Sequence, residues 1–401
     1  MQISMRERIR SVATSWSRHI WILATSVFLI RLGQGLMGGI STNFYVDVLG
    51  LSGRQVLWLA GIREIPGLSL MFIAALMMHL PLSRRAALSV FLMGIGYSLY
   101  ATVHSYAALI AVALIGSLGF HNWMPLQSAL GLALTERSQS GRTLGFLSAM
   151  GSLASIIGMG ITAIMATAIP LREFYAVAGG FMVLASVALL AIPANVGFYD
   201  VTQPRIILRK RYWLYYILTF FEGSRMQVFG TFGTLILVQN YGLDARAISL
   251  IMVASGIVNI TLAPLLGHLL DDLGERTVLS ASYIALALCF VGYATLHNVW
   301  LLASLLIAIN LLVTLRIGLS TYVNRIAPSE EVTPTLAAGV SINHITSVSM
   351  SLLAGTLLEL VGYEGLCWGA AAIIMLSVPF ALAMRVTPGS PQPVSRVQGS
   401  P

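Results

Sequence analysis

The chain is a succession of apolar runs of about 20 residues or more, separated by short polar breaks. An α-helix of ~20 apolar residues spans the hydrocarbon core of a bilayer, so each run is long enough to cross a membrane. Only 9% of the residues are charged, and the mean hydropathy is +0.84, which leaves little sequence for a soluble domain. The runs lack the alternation of a membrane β-barrel strand. The sequence therefore predicts an all-α integral membrane protein.

Twelve spans are predicted, in two sets of six. They cover residues 19–45, 55–79, 84–103, 106–134, 141–168, 172–192, 212–240, 246–270, 277–296, 298–325, 334–361 and 364–386. The longest polar stretch between spans divides the sets and contains four basic residues. We therefore expect an N-terminal six-helix bundle (1–192), a basic cytoplasmic linker (193–211), a C-terminal six-helix bundle (212–386) and a disordered cytoplasmic tail (387–401).

Basic residues are distributed unequally between the two sides. Of the 23 Lys and Arg residues, 16 fall in the termini and the loops on their side, whereas three fall in the opposite loops. Because Lys and Arg are retained on the cytoplasmic side during insertion, both termini are predicted to be cytoplasmic, in a bacterial inner membrane. The arginines are dispersed over many loops with no soluble domain to carry them, which excludes a nucleic-acid-binding protein.

The second set repeats the first when the chain is shifted by 192 residues. The segment Gly50-Leu-Ser-Gly-Arg54 then aligns with Gly242-Leu-Asp-Ala-Arg246, and Thr143 aligns with Thr335. Two related six-helix halves are a recurring transporter plan, in which the solute binds near the middle of the bilayer. The repeat therefore predicts a pseudo-symmetric bundle.

A loop motif follows the eighth span. It reads Gly267-His-Leu-Leu-Asp271-Asp-Leu-Gly274-Glu-Arg276 and resembles the signature Gly-x-Leu-x-Asp-Arg-x-Gly-Arg-Arg of the major facilitator superfamily. The equivalent loop after the second span keeps Arg84 and Arg85 but has lost the acidic residue. This resemblance implies twelve helices in two pseudo-symmetric bundles and secondary transport by alternating access, with helices 1, 4, 7 and 10 lining the solute cavity.

Six charged residues lie deep inside apolar spans: Arg31, Arg63, Glu64, Glu222, Arg225 and Arg316. A charge at the bilayer centre costs at least about 2.5 kcal/mol, so these residues require an aqueous cavity or paired partners. Arginines exceed acids by two, and a guanidinium suits a carboxylate or phosphate, which favours an anionic solute. Alternatively, such pairs lock helices together, and Glu222 and Arg225 are three residues apart on one helix face.

The predicted site combines these charges with polar residues of the same spans. Candidate substrate ligands are Arg31, Gln34, Arg63, His121, Asn122, Gln127, Arg225, Gln227, Asn310 and Arg316; candidate proton carriers are Glu64, Glu222 and His344. Glu64 is the preferred titrating group, because Glu222 has an arginine in its own next turn. A lone histidine in a polar seam is otherwise a structural residue.

Function is bounded by what the sequence lacks. It contains no nucleotide-binding or hydrolase motif, so we expect a non-enzymatic transporter driven by a gradient, without cofactor or metal. The leading hypothesis is proton-coupled transport or exchange of a small organic anion. One alternative is proton-driven efflux of hydrophobic or cationic compounds, favoured by 17 Met and 15 Phe. The other is a non-transporting sensor or assembly factor that keeps the fold. The expected partners are a small-molecule substrate, protons and the lipid bilayer, and the expected state is a monomer.

Overall fold

The computed structural model describes residues 16–77, 79–136, 139–197 and 208–385, and within these ranges the chain is helical and contains no strand. The first set consists of α1 (Arg18–Gly38), α2 (three segments, Gly53–Ile62, Ile65–Leu68 and Leu70–Leu76), α3 (Leu82–Ser98), α4 (Tyr106–Ala133), α5 (Ser140–Met165) and α6 (Leu171–Leu189). The second set consists of α7 (Trp213–Gln239), α8 (245–273), α9 (275–295), α10 (Val299–Val313, continued by Thr314–Arg316 and Ile317–Ile326), α11 (329–361) and α12 (363–382).

Two bends separate pairs of helices in the second set. The helix Ala245–Thr295 is bent at Gly274 and the helix Ser329–Leu382 at Gly362, each of which has a positive φ angle. Seven of the described helices, the two bent ones included, are long and apolar enough to cross a membrane. The predicted all-α membrane fold with twelve helices is confirmed. Part of the predicted linker, 198–207, and the predicted tail, 387–401, lie outside the described residues.

The loops that follow α1 and α7 have the same conformation. Gly50 has φ 65° and Gly242, 192 residues later, has φ 64°. Two residues after each glycine, the side chains of Ser52 and Asp244 each accept a hydrogen bond from a backbone N–H at the start of the following helix. Two different side chains therefore make the same N-cap at equivalent positions. The repeat expected from the sequence is present as a repeat of structure.

Equivalent residues also meet where the two sets face each other. The hydroxyl groups of Thr42, just after α1, and Thr234, in α7, lie 2.9 Å apart. These positions are separated by 192 residues, so the contact joins a residue to its own counterpart. A residue that contacts its counterpart must lie close to the axis that relates the two copies. The pseudo-two-fold axis therefore passes between Thr42 and Thr234.

Small residues allow close packing within and between the sets. In the first set α1 packs against α5 and α6, and α3 packs against α4 and α6. A Cβ atom at Gly35 in α1 would overlap the backbone of Ser155 in α5. Between the sets, α2 packs against α11 and α5 packs against the α8–α9 unit. A Cβ atom at Gly61 of α2 would lie only 2.9 Å from Cβ of Ser351 in α11.

The sets are joined at the side opposite the chain ends, which we call the distal side; the other is the terminal side. At the distal side, Arg54 pairs with Glu359 across the sets at 2.7 Å. Further along α2, the indole N–H of Trp58 donates to the carbonyl oxygen of Leu352 at 3.0 Å. Helices α2 and α11 are therefore held together from the distal loops to the middle of the bundle.

The segment that carries Arg63 and Glu64 is not continuous helix, although one span was predicted across it. Pro66 lacks an N–H, and its ring clashes with the carbonyl group four residues earlier, so α2 is interrupted at residues 63 and 64. The two adjacent side chains leave this turn toward different neighbours. The interruption separates a cation from an anion inside the bundle.

Candidate functional site

Glu64 lies near the middle of α2 and contacts two histidines, and we call these three residues the Glu64 cluster. Its Oε2 is 2.9 Å from Nδ1 of His344 in α11 and 3.4 Å from Nε2 of His121 in α4. All three side chains are largely buried, and the two imidazole rings lie 5.1 Å apart. The cluster therefore joins the two helix sets through a titratable contact.

The hydrogen-bond partners of His121 restrict where protons can lie. Its Nδ1 is 2.9 Å from the carbonyl oxygen of Ser117, which can only accept, so Nδ1 carries a hydrogen. In a neutral ring, Nε2 then presents a lone pair toward Glu64. A hydrogen bond between Nε2 and the Glu64 carboxyl requires one further proton, on the carboxyl or on the ring.

Gly67, one turn after Glu64, allows the two histidines to come this close. A Cβ atom there would lie 2.7 Å from Cε1 of His344 and 2.9 Å from Cδ2 of His121. Such separations are shorter than van der Waals contact, so a side chain at this position would displace one ring. The glycine and the interruption of α2 together position the cluster.

Two imidazoles and one carboxylate are also donors that divalent transition ions accept, and the three donor atoms lie within 4.8 Å of one another. Two ligands of a tetrahedral zinc ion are about 3.3 Å apart, given metal–ligand bonds of about 2.0–2.1 Å. The separation of 2.9 Å between Glu64 and His344 is that of a direct hydrogen bond. We therefore interpret the cluster as a hydrogen-bonded group.

A cavity of about 450 Å³ lies between α1, α4, α5 and α8, in the terminal half of the bundle; we call it the Arg31 cavity. Its polar lining consists of Arg31, Gln127, Ser128, Ser148, Ser152, Ser155 and Asn259. Nη1 of Arg31 donates to Oε1 of Gln34 at 3.1 Å. No Asp or Glu in the described part of the chain pairs with Arg31, so its charge faces the cavity without an acidic neighbour.

A second cavity of about 180 Å³ lies inside the first helix set, toward the distal side; we call it the Arg63 pocket. Tyr45, Tyr97, Tyr100, Phe120 and Tyr175 line it together with Arg63, Gln34, Met37, Gly38 and Ser41. The tyrosines were missed in the sequence, although they share one signal: all lie at the distal ends of predicted spans 1, 3 and 6.

The charges of α7 are paired with each other. Glu222 and Arg225 are both buried and form an ion pair within one turn. The guanidinium carbon of Arg225 also lies 4.2 Å from the centre of the Tyr283 ring. The guanidinium group of Arg225 therefore contacts both Glu222 and Tyr283, as expected if this ion pair holds helices together.

The remaining candidates lie apart from these groups. Asn122 is buried and donates to the carbonyl oxygen of Leu118 in its own helix. Asn310 is half-buried in α10, and Arg316 is exposed in the turn that follows. The side chain of Gln227 lies outside the described residues. The structure thus brings together Glu64, His121 and His344, and separately Arg31, Gln34 and Gln127.

The loop motif between α8 and α9 is tied to α10 by an arginine that sequence reasoning counted only for topology. Arg325 lies 2.9 Å from buried Glu275 and 3.8 Å from Asp271. Gly274 provides the bend between the helices, with φ 76°, while Gly267 and Arg276 have exposed positions on either side of it.

The degenerate first copy makes a different contact. Arg84, at the start of α3, donates to the carbonyl oxygen of Leu190 after α6 at 3.2 Å. Arg85 follows it, and its carbonyl group accepts a hydrogen bond from Ser89. In the loop after α8, an arginine therefore contacts acidic side chains, whereas in the equivalent loop after α2, Arg84 donates to a backbone carbonyl group.

Comparisons with known proteins agree with this architecture. Residues 215–400 match the family model of the Major Facilitator Superfamily, and none of the curated proteins matches the chain. A point mutant of the nucleoside transporter NupG superposes with a TM-score of 0.79 at 16% identity, over 92% of this chain and 100% of that one.

Two further solved structures share the fold. The peptide transporter POT in complex with sulfate has a TM-score of 0.73 at 13% identity and covers 91% of this chain and 94% of its own. The human organic anion transporter MFSD10 (TETRAN) has a TM-score of 0.59 at 14% identity and covers 91% and 99%. The second half of the chain therefore matches the Major Facilitator Superfamily model, and the whole chain has the multi-pass membrane fold of these solved transporters.

Proposed function

We propose that this secondary transporter moves a small organic anion in exchange with, or together with, protons. One observation carries the proposal: the mid-helix carboxylate Glu64 is held by histidines from both helix sets, while Arg31 faces the Arg31 cavity with no acidic partner among the described residues. A cavity with an unbalanced arginine attracts an anion and repels a cation.

The proton has a defined role in this proposal. Opening the distal side separates α2 from α11 and breaks the contact between Glu64 and His344. Breaking the hydrogen bond between this buried carboxylate and His344 costs about 1.5–3 kcal/mol and leaves the charge uncompensated. The titratable groups around Glu64 include His121, His344 and Tyr97, and Arg63 is its neighbour in the chain. A proton on Glu64 removes the charge and favours the open state, so protonation is linked to the change of side.

The proposed state is one that faces the terminal side. The polar Arg31 cavity lies in the terminal half, and the ties between α2 and α11 lie in the distal half. With both termini in the cytoplasm of a bacterial cell, as the loop charges predict, this is an inward-facing state. Alternating access then requires the cross-set contacts of α2 to break and re-form in each cycle.

The test is uptake of radiolabelled carboxylates into liposomes that contain the purified protein, with and without an imposed pH gradient. We expect Glu64→Gln to lose gradient-driven accumulation but keep exchange of internal for external anion, because exchange needs no change of protonation. We expect Arg31→Gln to lose both activities. Arg246→Gln is the matched control, since Arg246 is exposed in the first turn of α8, at the distal side.

Two results would refute the proposal. Full transport by the Arg31→Gln protein would refute the role of this arginine, and gradient-driven accumulation by the Glu64→Gln protein would refute the role of the carboxyl. If no anion is transported but overexpression in an efflux-deficient host raises resistance to cationic compounds, the protein is an exporter of the alternative class.

A further inference from the structure

The Arg63 pocket has walls formed by aromatic rings. Tyr100 and Tyr175 are stacked, with ring centres 4.9 Å apart and an angle of 17° between the planes. Tyr97 meets Tyr100 edge-on at 5.7 Å, and Phe120 of α4 lines the pocket as well. Flat rings packed in this way form a rigid surface that suits another flat ring.

The pocket also contains a cation with unused hydrogen-bond donors. Nη2 of Arg63 is 3.4 Å from the hydroxyl oxygen of Tyr97, while Nε of Arg63 is buried and has no hydrogen-bond partner among the described residues. The same holds for the buried hydroxyl group of Tyr100 within the described part of the chain. No Asp or Glu in the described ranges pairs with Arg63. Buried donors without acceptors cost free energy, and a carboxylate can accept from both groups.

The volume limits the ligand to one ring. A protein cavity of about 150 Å³ is known to hold benzene. A cavity of about 180 Å³ therefore accommodates a benzene ring with one small substituent. Aromatic walls would also suit an organic cation, but Arg63 repels one.

We propose that the Arg63 pocket binds a small aromatic monocarboxylate of the size of benzoate, with the carboxylate on Arg63 and the ring against Tyr100, Tyr175 and Phe120. The pocket borders the transport route, since Gln34 lines it and accepts a hydrogen bond from Arg31. This assignment of substrate class rests on the proposed anion transport, whereas binding itself is measured on the protein alone.

The experiment measures binding to the purified full-length protein in detergent by calorimetry. Benzoate is compared with cyclohexanecarboxylate, which keeps the charge but not the flat ring, and with benzamide, which keeps the ring but not the charge. We expect saturable binding of benzoate and at least about tenfold weaker binding of both analogues. Equal affinity for benzoate and cyclohexanecarboxylate would overturn the proposal.

Variants locate the site. We expect Arg63→Gln to weaken benzoate binding by about tenfold or more, and Tyr100→Phe, which removes only a hydroxyl group, to weaken it about threefold or more. Arg246→Gln removes an exposed arginine in the first turn of α8; it is the matched control and should leave benzoate binding nearly unchanged. If the Arg63 variant does not fold, the Tyr100 variant decides the question. Unchanged binding in Tyr100→Phe would then overturn the proposal.

The outcome is separable from that of the proposed function. Arg31-dependent flux of aliphatic carboxylates without benzoate binding would overturn the pocket assignment and leave anion transport standing. Benzoate binding that depends on Arg63, with no flux of any anion, would support the pocket and refute anion transport.

Discussion

Replacement of Glu64 by glutamine should shift the equilibrium between the state closed at the distal side and the open state. The carboxylate is 2.9 Å from His344 across the sets. A hydrogen bond to a charged group is worth about 1.5–3 kcal/mol and a neutral one about half of that. Glutamine should therefore remove about 0.75–1.5 kcal/mol of stabilisation from the closed state, which favours opening about 3.5- to 12-fold.

A second glutamate at the interface between α2 and α11 provides a matched control for this substitution. Glu359 pairs with Arg54 across the same two helices, but the side chains are 49% and 40% exposed. Exposed ion pairs contribute about 0.2–1 kcal/mol, and a neutral hydrogen bond keeps about half of that. Glu359→Gln should therefore remove about 0.1–0.5 kcal/mol and shift the equilibrium about twofold or less. Both variants replace a glutamate by a glutamine, but the Glu64 contact is buried in the middle of the bundle, whereas the Glu359 contact is exposed at its distal side.

The assay is a distance distribution between spin labels at two exposed distal positions, residues 52 and 364, measured by pulsed electron paramagnetic resonance. The native thiols Cys289 and Cys367 are both buried and are replaced by serine first, so that labelling is confined to the chosen sites. The population at long distance should rise in Glu64→Gln and stay nearly unchanged in Glu359→Gln. An equal shift in the two variants would refute the reasoning that the buried contact controls opening.

Three further predictions concern stability. Gly35→Ala should lower the melting temperature, because overpacking costs about 1–3 kcal/mol. Gly160→Ala should not, because no described atom outside its own helix and chain neighbours lies within 4 Å of the added Cβ. Arg225→Gln should destabilise the protein by about 3–5 kcal/mol, since it leaves the buried acid of α7 unpaired; a melting temperature like that of the parent would contradict this. The Arg211 guanidinium holds the pKa of the Glu331 carboxyl below its usual range. The contact between them therefore stabilises the folded protein above the unfolded pKa of about 4.3. This stabilisation is lost as the pH falls through the folded-state pKa of Glu331. Thermal melts from pH 7 to 3 should show a gap between the parent and Glu331→Gln that closes at low pH.

The number of helices could be predicted because hydrophobic length alone determines which segments cross a bilayer. The pairing of Glu222 with Arg225 was also accessible, since a separation of three residues places both on one helix face. The contact between Glu64 and His344 was not accessible, because it joins residues 280 positions apart on helices that are not equivalent in the repeat. Their polar character indicated a role, but their proximity depends on how α2 packs against α11.

Arg63 shows a second limit of sequence reasoning. Adjacent residues on a regular helix point about 100° apart, which predicts two different neighbours but not which ones. The interruption before Pro66 directs Arg63 into a ring of tyrosines from α3, from α6 and from the segment that follows α1. Each tyrosine alone is an ordinary residue of a membrane helix near its end. Only the packing of three helices makes them one pocket.

The two interfaces that the repeat makes equivalent have different chemistry. Helix α2 meets α11 through the Glu64 cluster, whereas α8 meets α5 where Gly256 lies against the side chain of Ile156. Gly256 is the counterpart of Glu64 after the shift of 192 residues. A contact between glycine and isoleucine has no charge to titrate, so its stability does not change with protonation. If the two interfaces open together, the stability of the apolar interface between α5 and α8 does not depend on pH, whereas that of the interface between α2 and α11 does. Gly256→Ala should therefore change the rate of transport at every pH by a similar factor, whereas Glu64→Gln should change its pH dependence.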